Sequence, residues 1–114
     1  MNFSFVVRGP VLVALALVIG GCASLPSVAP PVTAALVSAS GGASVATLEE
    51  GRRIFAGACT ACHSADPVST YTLAEWHDIV ADMAPRTKLD ETRRAALLAY
   101  IAAVKAAPAP AASS

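Results

Sequence analysis

An all-α domain is the fold class the sequence predicts, on three observations. Three segments carry apolar residues at helical spacing, each opens on a good capping residue, and none alternates in the period-two manner of a half-buried strand. The three helices fall within residues 47–107. Residues 22–46 and 108–114, on either side, are built of Ala, Ser, Pro, Val and Gly without apolar periodicity.

The first helix is expected to begin at Thr47, where Thr47-x-x-Glu50 reads as a capping box. Leu48, Gly51, Phe55 and Ala58 then share one face. The second begins at Thr72, with Thr72-x-x-Glu75 as another capping box, and Leu73, Trp76, Ile79, Val80 and Met83 form its stripe. Pro85 is expected to end it, because proline lacks an amide donor and crowds the preceding turn. The third starts near Asp90, a good N-cap with Glu91 in the first turn. Leu97, Leu98, Tyr100, Ile101 and Val104 give it an apolar side, and it ends toward Lys105, before Pro108. About sixty residues with few large apolar side chains make a marginal core.

Between the first two helices lies Cys59-Thr60-Ala61-Cys62-His63. This is C-x-x-C-H, the attachment pattern of a c-type haem. Two thiols form thioethers to the porphyrin, and the next histidine becomes the proximal iron ligand. A zinc site and a thiol redox pair are the other readings of C-x-x-C. Zinc needs further ligands, and beyond the motif cysteines only His63 and His77 offer nitrogen, with no second C-x-x-C. A thioredoxin-like motif expects a βαβ setting, and no strand pattern is near. One covalent, mostly apolar haem would also supply the interior that so short a domain lacks.

The ends of the chain speak to location. Arg8 precedes an unbroken apolar run at 11–19, followed by Gly20, Gly21 and Cys22. A run this short on a basic flank reads as an export signal, residues 1–21, rather than a membrane span. Ile19-Gly20-Gly21-Cys22 resembles a bacterial lipobox, and the resemblance implies that Cys22 carries lipid after cleavage. An ordinary cleaved signal and an uncleaved anchor remain alternatives. By the same analogy, Ala23 after the cysteine points to the outer membrane of a Gram-negative cell, with the domain on the periplasmic side. Residues 22–46, punctuated by Pro26, Pro30, Pro31, Gly41 and Gly42, read as a disordered tether, and 108–114 as a disordered tail. The three cysteines are then all assigned, one to lipid and two to haem. Eight basic residues balance eight acidic ones, which excludes the basic footprint of a nucleic-acid binder.

With these residues in view, the chain resembles a small single-haem cytochrome c of the class I type, over residues 48–103. The resemblance implies three helices wrapped around the haem. Gly51 and Phe55 of the first helix would cross the last helix at Tyr100. Pro67 would offer its carbonyl to His63 Nδ1–H, although Asp66 stands where the family usually has glycine. A methionine usually fills the sixth iron position, which implies Met83; His77 is the rival, and an open or weak sixth site is the third reading. The segment from Trp76 to Met83 also resembles that of compact haem subunits serving periplasmic dehydrogenases. Trp76 and Tyr71 would pack on the haem, Trp76 would aim its indole N–H at a propionate, and Arg86 and Lys88 would neutralise one. For Arg86 and Lys88 a solvated surface role is the alternative, and for Arg93 and Arg94 simple exposure is expected.

The function implied is electron transfer rather than catalysis. The sequence holds no nucleophile–base pair, carboxylate dyad or nucleotide loop. The expected partners are a membrane, through the lipid, and a redox protein: a dehydrogenase, an oxidase or another cytochrome. A haem sensor or enzyme with an open sixth site is the alternative, and a zinc or thiol-redox module a further one.

Overall fold

Helices dominate the computed structural model, which describes residues 28–60 and 64–108. No strand occurs among the described residues, in agreement with the all-α expectation. The elements run α1 (Ala34–Ala39), α2 (Val45–Gly57), a 3-10 turn at Ala58–Thr60, a second at Val68–Thr70, α3 (Leu73–Thr87) and α4 (Glu91–Ala106). No helix among the described residues is long and apolar enough to cross a membrane. The expected signal, Cys22 and the residues beyond 108 lie outside the described residues.

α2 and α4 make the closest pairing, and its centre is Gly51. A β-carbon there would overlap the Ala96 carbonyl oxygen and stand 2.5 Å from Tyr100 Cβ. Glycine therefore lets two backbones meet at a distance no other residue permits. Leu48, Ile54 and Phe55 of α2 and Leu97, Tyr100 and Ile101 of α4 are almost wholly removed from water around this crossing. Aromatic rings extend the core toward α3. Phe55 meets Trp76 edge-on at 5.6 Å between centroids, Tyr100 lies 6.2 Å from Phe55, and Tyr71 is perpendicular to Trp76 at 5.2 Å.

Two helix ends differ from the expectation. α2 is capped by Ser44, whose side chain accepts the Thr47 amide at 3.1 Å, so the helix begins three residues before the reading from Thr47. Ser44 offers the same kind of acceptor nearly a turn earlier. Glu50 turns away from the expected box to pair with Arg53 beside it and with Arg93 Nε of α4 at 3.3 Å. α3 does not stop at Pro85 but runs through it to Thr87. Pro85 lies in the last turn, where it removes one intrahelical donor without ending the helix, which closes instead at Lys88 in the left-handed conformation, φ 54°. The Thr72–Glu75 capping box and the Asp90 cap are as expected.

The larger correction concerns residues 28–46. The stretch read as a disordered tether is folded onto the domain. Thr33 caps the short helix α1, accepting the Leu36 amide at 3.2 Å, and Gly41 and Gly42, both with positive φ, turn the chain back into α2. Ala29 and Leu36 are buried in the common core. Arg52 Nε donates to the carbonyls of Ala29 and Pro30 at 3.2 and 3.1 Å, and the Tyr100 hydroxyl donates to Pro30 at 2.6 Å. The composition misled because prolines here shape an extended strap held by side chains from α2 and α4, which needs no periodicity of its own.

Candidate functional site

α3 does not close completely over α2 and α4. Between them lies an apolar cleft of about 770 Å³, counting the space at its mouth. Phe55 forms its end nearest α2, and Leu97 and Ile101 of α4 form its floor. Trp76, Ile79, Val80, Met83 and Thr87 of α3 form one wall, with Leu89 beyond them. Cys59, Ala65, Asp66 and Tyr71 bound it on the side of the inter-helix connection. The wall follows from the α3 stripe: positions 76, 79, 80, 83 and 87 recur at helical spacing.

The cleft brings together Cys59 of the C-x-x-C-H motif and Met83. Cys62 and His63 lie outside the described residues, as does the expected His63–Pro67 contact. The Pro67 carbonyl accepts the Thr70 amide at 2.9 Å, closing the second 3-10 turn. Met83 is half-buried on the cleft wall, whereas His77 is exposed on α3 and does not line the cleft. Half-burial pushes the Cys59 thiol above its usual value, the opposite of the electropositive setting that makes cysteines reactive. Among the described residues, no group of three or more His, Cys, Asp or Glu is placed to hold a metal ion.

The side chains expected around a propionate are otherwise engaged. Trp76 lines the cleft, but its indole N–H donates to the Val68 carbonyl at 2.8 Å; the 3-10 turn brings that acceptor directly to it. Arg86 is exposed, lies outside the cleft and faces Asp82 one turn away at 3.6 Å. Lys88 is exposed and serves as the α3 cap. Tyr71 does border the cleft. Its hydroxyl donates to Asp66 at 2.9 Å, and that bond and the carboxylate charge raise its pKa. Its carbonyl accepts from Lys105 Nζ at 2.7 Å, tying the connection to α4. Arg93 is exposed as expected, while Arg94 is partly covered, with its Nε buried and without a hydrogen-bond partner.

No protein-family model matches the chain, and no curated protein or solved structure is significantly similar to it.

Sequence reasoning missed three contributors to this region, Ala65, Thr87 and Leu89. Thr87 lines the cleft and hands its hydroxyl to the Met83 carbonyl at 3.0 Å, a back-bond that only the continuation of α3 past Pro85 makes possible. Leu89 was also unread, since it lies between helices where no period assigns it. Its relation to the α3 cap was the available signal: an apolar residue just beyond a helix end often folds back on the last turn.

Proposed function

We propose that this chain is a lipid-anchored, exported, single-haem electron-transfer protein of the cytochrome c kind. The observation that supports this best is that Cys59 of C-x-x-C-H borders the same apolar cleft as Met83. The cleft's lining is aliphatic and aromatic with a few polar groups, Asp66, Tyr71 and Thr87 among them. Such a lining fits a flat, mostly apolar macrocycle.

In this reading Cys59 and Cys62 hold the haem covalently, and His63 and Met83 are the iron ligands. The bound haem supplies reversible one-electron chemistry, with a thioether ligand favouring the ferrous state. The chain's own residues bind and shield it. Phe55, Leu97 and Ile101 keep water from one side, and Trp76 and Ile79 from another. The bond from Trp76 to Val68 fixes the indole, and Thr87 ties down the turn that carries Met83. Two protein ligands leave no position for substrate, so the protein acts as a carrier or as the electron-accepting subunit of a periplasmic oxidoreductase, not as a catalyst.

The test is a pyridine haemochrome assay with absorption and magnetic circular dichroism spectra, on protein matured by c-type machinery. Covalent haem, a low-spin spectrum and a sulfur–iron charge-transfer band are expected. Met83→Ala abolishes that band and His77→Ala leaves it intact. Absence of covalent haem overturns the proposal in favour of a thiol or zinc module. Carbon monoxide binding without ligand loss overturns the carrier role in favour of a sensor or enzyme.

A further inference from the structure

We propose that the strap formed by residues 28–40 shortens the lipid anchor to a close leash, so that the cleft works at the membrane surface and serves a redox partner seated in the same membrane. This rests on the lipid attachment at Cys22 proposed above. Its own support is independent of that attachment. Ala29 and Leu36 are buried in the domain core, Arg52 grips the Ala29 and Pro30 carbonyls, and the Tyr100 hydroxyl holds Pro30 from the core side.

The geometry follows from chain length. Were the chain loose as far as Thr47, the twenty-five residue steps from Cys22 would reach about 85 Å at roughly 3.4 Å per residue. With the strap docked, only six steps separate Cys22 from Val28, at most about 20 Å at the same rise. A domain of this size is about 30 Å across by the usual size scaling, so no part of the cleft lies more than about 50 Å from the lipid surface. No strap residue lines the cleft, so docking leaves it open to a partner. A redox partner must therefore dock within about 50 Å of the membrane that holds the lipid, which favours one seated in that membrane.

Two insertions separate the leash from a loose tether. A ten-residue Gly/Ser segment, a coil of about 17 Å r.m.s. length, is placed between Ser27 and Val28 in one variant. In the other it is placed between Gly41 and Gly42, where the turn faces open space. The mature protein, labelled through Thr92→Cys on the exposed start of α4, is reconstituted into phosphatidylcholine–phosphatidylglycerol vesicles bearing a headgroup acceptor dye. Energy transfer is expected to fall for the first insertion and to match the parent for the second. Adding Arg52→Gln and Tyr100→Phe to the second insertion is expected to lower transfer to the level of the first, with the far-UV spectrum unchanged. Equal loss from both insertions overturns the leash while leaving the anchor intact. Mass spectrometry of the mature N-terminus reads the anchor separately, and a chain without lipid on Cys22 overturns anchor and leash together.

Discussion

Replacing Gly51 by alanine should cost about half of the stability of this domain, although alanine is the better helix former. The added β-carbon would stand 2.5 Å from Tyr100 Cβ and 2.9 Å from the Ala96 carbonyl carbon, besides overlapping the Ala96 oxygen. Carbon atoms pack best at about 3.5–4.0 Å, so α2 and α4 must part by about 1 Å. Overpacking costs about 1–3 kcal/mol, and two backbones that cannot rotate away put this site at the upper end. The gain in helix propensity returns about 0.5–1 kcal/mol. The net loss is about 2 kcal/mol, against a total of roughly 3–5 kcal/mol for a core this small. Gly57, in the last turn of the same helix, is the internal control, since a β-carbon there meets nothing within 4 Å. Gly57→Ala should be neutral or stabilising by up to about 1 kcal/mol. Urea unfolding followed by far-UV circular dichroism reads both. With an m-value near 1 kcal/mol per molar, Gly51→Ala lowers the midpoint by about 2 M. A Gly51→Ala midpoint equal to or above that of the parent would refute the close crossing of α2 and α4.

Lys88 is the one non-glycine residue with positive φ among those described, so Lys88→Gly should stabilise by about 0.5–1 kcal/mol in the same urea assay. Trp76→Phe removes the indole donor and leaves the buried Val68 carbonyl short of a partner; a loss of about 1–2 kcal/mol is expected by thermal unfolding. Burial pushes the Tyr100 phenol up to about 12, while an unfolded tyrosine ionises near 10. The folded chain therefore holds this proton through an interval in which the unfolded chain releases it. Stability is full below about pH 10 and declines by about 2–3 kcal/mol between pH 10 and 12, a decline that Tyr100→Phe should lack in unfolding titrations at stepped pH.

What was legible in the sequence was what depends on local rules. Asp90 and the Thr72–Glu75 pair announced α4 and α3 because a cap acts within one turn of itself. The α3 stripe announced the cleft wall, since Trp76, Ile79, Val80 and Met83 repeat at the helical period. The strap was illegible because its bonds reach from Arg52 and Tyr100 to carbonyls 22 to 70 residues earlier in the chain. Carbonyls are common to all residues, so no pattern in 28–33 marks those that will be held. Six-residue α1 was bounded by Thr33 and by Gly41-Gly42, but it is too short for a period to show. The Trp76 donor was foreseen to need an acceptor, yet which one it finds depends on where a 3-10 turn brings the Val68 carbonyl.

The Gly41–Gly42 turn determines how strongly the strap must bind. Three hydrogen bonds and the buried Ala29 and Leu36 would make a weak ligand as a separate peptide. Hydrogen bonds return about 0.5–1.5 kcal/mol each, and a buried leucine about 1.5–3 kcal/mol. Joined through a short turn, the strap meets its site at an effective concentration of order millimolar, which demands only about 4 kcal/mol of intrinsic affinity to hold it half-docked. A single peptide-bond cut in that turn would change the same contacts from an intramolecular closure into a dilute bimolecular complex. For an anchored chain, that cut would release the domain from the membrane with its cleft whole.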